Sequence, residues 1–111
     1  ARFTDLYQGA KIALLGIGPN PFSGRSLAVR YSLPYSGVSA VQITMFDMMG
    51  RKAFSQRISE GLHPGANVTV CSGNSASNRP LRSGLYMMSV RMLDEEGKAV
   101  KVYKTRITVV P

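Results

Sequence analysis

The stretch Val41–Ile58 limits the fold more than any other part of the chain. Val41, Ile43 and Met45 alternate with Gln42 and Thr44, the period of a strand with one buried face. Asp47-Met48-Met49-Gly50 follows as a turn. Aspartate suits the first position of such a turn, and glycine accepts the positive φ that three-residue hairpin loops require. Arg51–Ile58 then returns as the partner strand, with Phe54, Gln56 and Ile58 on one face.

The same grammar repeats along the chain. Lys11–Ile17 holds an apolar run that Gly18-Pro19-Asn20-Pro21 must break, because two prolines remove ladder donors and fix φ. Phe22, directly after, is expected to fold back onto the core. In Ser26–Leu33, residues Leu27, Val29, Tyr31 and Leu33 share one side, and Pro34 ends the strand. Ala66–Cys71 alternates again, and its valines, Val68 and Val70, are expected to point inward. Gly84–Leu93 places Tyr86, Met88, Val90 and Met92 together, and Asp94-Glu95-Glu96-Gly97 is a second turn with a late glycine. Lys98–Val109 changes apolar phase between Val102 and Tyr103, which predicts a bulge or bend there. No segment carries a capped 3.6-residue apolar repeat. The pattern predicts an all-β chain, an immunoglobulin-like antiparallel β-sandwich of about seven strands. Residues 1–10 read as a linker remnant and residues 11–111 as one module. The start without Met fits a piece of a longer chain.

Charge and cysteine content narrow the function classes. The chain has 14 Lys and Arg against 6 acids, a net charge of +8 over 111 residues. Such a balance attracts anionic surfaces, yet the cations are spread from Arg2 to Arg106 and read as a solvated surface. Cys71 is the single cysteine, so no internal disulfide framework exists. It ends an apolar alternation and is expected to be a buried, inert thiol. No window approaches the roughly 18 consecutive apolar residues of a membrane-spanning helix.

The succession of motifs is more specific than any one of them. Pro19-Asn20-Pro21-Phe22 precedes Val29-Arg30-Tyr31-Ser32-Leu33-Pro34. Val41-Gln42-Ile43-Thr44-Met45-Phe46-Asp47 and Gly50-Arg51 follow, then Gly61, Pro64-Gly65, and Leu81-Arg82-Ser83-Gly84-Leu85-Tyr86. Lys104 and Ile107-Thr108-Val109-Val110 close the chain. From Pro19 to Val110 this order resembles the C-terminal sorting domains of the type IX secretion system and the related immunoglobulin-like domain of the flagellar hook-cap protein. Phe46 stands where those families often have Tyr. Val70-Cys71-Ser72-Gly73 stands where many carry Trp-Asp-Gly or Trp-Asn-Gly, which weakens the hook-cap comparison more. The basic balance is similar to that of the terminal domains on secreted polysaccharide-degrading enzymes of fibre-digesting bacteria.

The resemblance implies a non-catalytic module of a larger secreted bacterial protein, exposed at the cell surface and covalently joined to an N-terminal domain of its parent. Its implied partners are the outer-membrane secretion machinery and anionic cell-surface polysaccharide or lipopolysaccharide. Lys104, Arg106, Val109 and Val110 are the expected contacts with the export machinery. Lys104 and Arg106 are equally suited to keeping an edge strand from aggregating. Two roles are open to Arg51: pairing with Asp47 across the turn, or recognition. Pro19, Pro21, Gly50 and Gly84 are expected to serve backbone geometry.

Catalytic and metal chemistry find no support in the residue pattern. His63 is the sole histidine and lies in a loop beside Pro64, whereas a Ser-His-Asp triad or most zinc sites would need it in company. Asp94, Glu95 and Glu96 crowd one turn, a poor calcium cage, and they do not face one another across a cleft as glycosidase carboxylates do. The chain is expected to be a non-enzyme without cofactors. A carbohydrate-binding module is the alternative, but it needs exposed aromatic platforms. With no Trp in the chain, and with Tyr31 and Tyr86 reading as core, only Tyr7, Tyr35 and Tyr103 remain. Nucleic-acid binding has charge alone in its favour, without the interleaved aromatics of base-stacking sheets.

Overall fold

The computed structural model describes residues 11–20, 26–72 and 81–110. Residues 1–10, Pro21, Phe22 and most of the Ser72–Ser83 loop lie outside the described residues, and so do the expectations attached to them. Seven strands run in chain order: β1 (Ala13–Gly18), β2 (Ser26–Leu33), β3 (Ala40–Asp47), β4 (Lys52–Ile58), β5 (Gly65–Ser72), β6 (Gly84–Leu93) and β7 (Ala99–Val109). They form two antiparallel sheets, ordered β1-β2-β5 and β4-β3-β6-β7. This is the expected immunoglobulin-like sandwich.

The inner faces follow the period-2 reading. Leu27, Val29, Tyr31 and Leu33 of β2 meet Val41, Ile43 and Met45 of β3, Phe54 of β4, Met88, Val90 and Met92 of β6, and Ile107 and Val109 of β7 in one buried cluster. Tyr86, near the start of β6, donates its hydroxyl to the Arg82 carbonyl at 2.8 Å. This is the tyrosine-corner arrangement of immunoglobulin-like domains.

The facing of β5 reverses the sequence expectation. Val68 and Val70 are 55% and 60% exposed, while Asn67, Thr69 and Cys71 face inward. The cause is register: Leu27 pairs with Cys71, Val29 with Thr69 and Tyr31 with Asn67, and directly paired residues share a face. Inward polar groups are tolerated only when bonded. The Tyr31 and Thr69 hydroxyls lie 2.8 Å apart. Asn67 accepts from the His63 N–H at 3.2 Å and donates to the carbonyls of His63 and Gly65 at 2.7 and 3.0 Å. The outward valines, like Leu15 of β1, are exposed, and exposed Arg30 of β2 stands directly beside Val68.

In β7 the irregularity also lies elsewhere than expected. Leu93 pairs with Ala99 but Met92 with Lys101, so Val100 is the extra residue. From Lys101 onward the register is regular, and Val102 faces solvent.

Both expected turns form with one construction. In the β3–β4 turn, Asp47 Oδ1 accepts from the Met49 and Arg51 N–H groups at 2.9 Å, and Gly50 has φ +81°. In the β6–β7 turn, Asp94 Oδ1 accepts from Glu96 and Lys98 at 2.9 Å, and Gly97 has φ +82°. The aspartate side chain closes the turn and the glycine takes the left-handed position.

Candidate functional site

The residues singled out from sequence fall in two places. Arg51 ends the β3–β4 turn, where its Nε donates to Asp47 Oδ2 at 2.9 Å. Asp47 is held below the ordinary carboxylate range, first by the Arg51 backbone N–H, then by the Arg51 side chain and the Met49 N–H. Of the two roles open to Arg51, the structure contains the pairing. A folded pKa below 3.8 means that the turn keeps its full support above that pH and loses it as pH falls through the lowered value. An Asp47→Asn variant is therefore expected to lose less stability than the parent between about pH 4 and about pH 2. Urea midpoints measured at both ends of that window check this, and equal losses in the two proteins would contradict it.

The second place is β7, an edge strand of its sheet. Lys104 and Arg106 are exposed, Val109 is buried in the core and Val110 is half-buried. Asn20, from the segment after β1, donates to the Arg106 carbonyl at 3.2 Å and accepts from the Thr108 N–H at 3.1 Å. It fills two backbone positions that the strand turns away from β6. Pro19 directly precedes it, Gly84 opens β6, and Tyr86 forms the corner described above. Asn20, Asp47, Gly50 and Tyr86 thus take part in contacts and turns within the fold.

A third place was not legible in the sequence. On the outer face of the four-stranded sheet, register stacks residues in rungs that cross all four strands. Arg57, Gln42, Arg91 and Val102 form one rung. Ser55, Thr44, Ser89 and Lys104 form the next. Lys52, Phe46, Met87 and Arg106 form the third. Ser55, Thr44 and Ser89 of the middle rung have short side chains between two rungs of longer ones, so they form the floor of a trough that Lys104 bounds at β7. Thr44 and Ser89 are only 7% and 6% exposed although they face outward. The resulting open groove of about 930 Å³ also reaches Asp47, Met48 and Gly50 at the turn. Four strands at about 4.8 Å spacing make it roughly 14 Å long.

Its electrostatics are one-sided. Lys52, Arg57, Arg91 and Lys104 line it, and its one lining acid is Asp47, already paired with Arg51. The two ion pairs among the described residues, Arg51–Asp47 and Lys98–Glu96, include none of those four cations. Basic residues that look scattered in the chain are gathered by pairing of three different strands.

The other chemical candidates stay apart. Cys71 is buried, and burial pushes its thiol up to about 11, which removes the thiolate needed of a nucleophile. The His63 ring nitrogen Nδ1 lies 3.1 Å from its neighbour's carbonyl at Pro64. Among the described residues, no three of His, Cys, Asp and Glu gather as a metal site. Tyr35 is exposed in the loop after β2, while Tyr103 is half-buried on β7 with the Lys101 ammonium 5.6 Å from its ring centre. Tyr103 packs against the core. No helix among the described residues is long and apolar enough to cross a membrane.

Fold and groove together define the class: an all-β, immunoglobulin-like sandwich with a basic trough on its larger sheet. No protein-family model and no curated relative matches the sequence.

Proposed function

We propose that this chain is a non-catalytic C-terminal module of a larger secreted bacterial protein, serving as a type IX sorting and cell-surface attachment domain. The observation that supports the reading is the Asn20 staple. The first motif of the resemblance, Pro19-Asn20, bonds directly to the backbone of the last, Arg106–Thr108. A motif order that could be coincidence in a string is a contact between the two ends of one fold. The staple leaves Lys104 and Arg106 exposed on the terminal strand, where the outer-membrane machinery would read them.

A reporter carrying a signal peptide and this module at its C-terminus, expressed in a type IX-competent bacterium, tests the proposal. Surface exposure of the reporter is expected, with Lys104→Glu/Arg106→Glu held back in the periplasm. Periplasmic accumulation of the folded parent fusion would refute the sorting role.

A further inference from the structure

We propose that the trough on the four-stranded sheet is a binding site for a linear acidic polysaccharide, one whose sugars carry carboxylate groups. This does not depend on the export reading. Three features select the occupant. The first is charge: Arg57 and Arg91 stand in one rung, two strands or about 10 Å apart, and Lys104 closes the floor at β7. Guanidinium groups bind carboxylates with paired, directed hydrogen bonds, so two on one wall suit anions repeated along a chain. The second is the floor. Ser55, Thr44 and Ser89 offer hydroxyls in a line, and Gln42 Nε2 donates to Ser55 Oγ at 2.6 Å, which fixes the wall against the floor. Sugar hydroxyls pair with such groups, which both donate and accept. The third is shape. The trough crosses the sheet from one edge strand to the other, so a polymer can run through it, whereas a compact anion would touch one end.

Single-stranded nucleic acid shares the charge but asks for stacking surfaces, commonly several aromatic side chains on one sheet face. Phe46 is the single aromatic in the three rungs, and it is half-buried. The trough therefore offers neither a base-stacking surface nor the aromatic platform that a module for neutral sugars needs, and its hold on a sugar acid rests on the carboxylates.

Titration calorimetry of the protein with oligogalacturonate, a neutral xylo-oligosaccharide and oligothymidylate of equal charge tests the proposal. Binding is expected to be tightest for oligogalacturonate and absent for the neutral sugar. Arg57→Glu/Arg91→Glu should weaken it about tenfold or more, since each reversal replaces an attraction with a repulsion. The charge-matched control Arg30→Glu/Arg82→Glu, away from the trough, should change it less than about threefold. Amide shifts of the unmodified protein provide a reading that needs no variant: Thr44, Ser55 and Ser89 should move on titration. Equal losses in both double variants, or shifts scattered over the whole surface, would reduce the trough to ordinary polycation behaviour and overturn the proposal. Tighter binding of oligothymidylate would assign the trough to nucleic acid instead.

Discussion

Ile43→Ala is expected to remove about 2–5 kcal/mol of unfolding free energy. Ile43 sits on β3, which is paired on both sides, opposite Gln56 of β4 and Val90 of β6, and it is 0% exposed. Neighbours on both flanking strands are fixed by ladder hydrogen bonds, so the site cannot collapse around the lost atoms and a cavity remains. Against a total of about 5–15 kcal/mol for a domain, this is a large share. The control is Val70→Ala on β5, where two methyl groups are lost from a side chain open to solvent. It should change stability by no more than about 0.5 kcal/mol. Urea titrations of both variants give the comparison. A Val70→Ala cost as large as that of Ile43→Ala would mean that β5 faces the other way, with its valines inward.

That comparison also marks where sequence reasoning stopped. Strand positions were legible because alternation and turn chemistry are local. Leu27 to Leu33 could be buried on one side only, and Asp47 with Gly50 could close only a short hairpin. The face of β5 was not legible, because local hydropathy favours Val68 and Val70 over Asn67 and Thr69. The decision is made by pairing with β2, and its cost is met by hydrogen bonds: Asn67 accepts from the His63 N–H and donates to the Gly65 carbonyl, and Thr69 pairs with Tyr31, which lies on another strand. The basic trough failed to show for the same reason. Arg57, Arg91 and Lys104 are 34 and 13 positions apart in the chain, and only the order β4-β3-β6-β7 brings them to one surface. By contrast the Asp47–Arg51 pairing was foreseeable, since both ends belong to one turn. Features written within a few residues can be read from the string, and features written by register need the sheet.

The sharpest test of that distinction is Asn67→Ala, expected to cost about 2–4 kcal/mol. One side-chain amide here serves three backbone groups: the N–H and C=O of His63 and the carbonyl of Gly65. It thereby ties the segment before β5 to the strand itself. Each bond contributes about 0.5–1.5 kcal/mol net. Truncation also leaves those backbone groups, on exposed His63 and half-buried Gly65, to be satisfied by water instead. Asn67→Asp separates donor from acceptor function. It retains the oxygen that accepts from His63 N–H, but it turns a carboxylate toward two carbonyls that need donors. At neutral pH it should therefore destabilise at least as much as alanine, and it should recover in part as acid protonates the new carboxyl and restores one donor. A cost for Asn67→Ala within about 0.5 kcal/mol, or an Asn67→Asp variant indistinguishable from the parent at neutral pH, would show that the inward polar position of β5 is filled without being needed. In that case the valines facing solvent would require another cause than the pairing that places Asn67 in the interior.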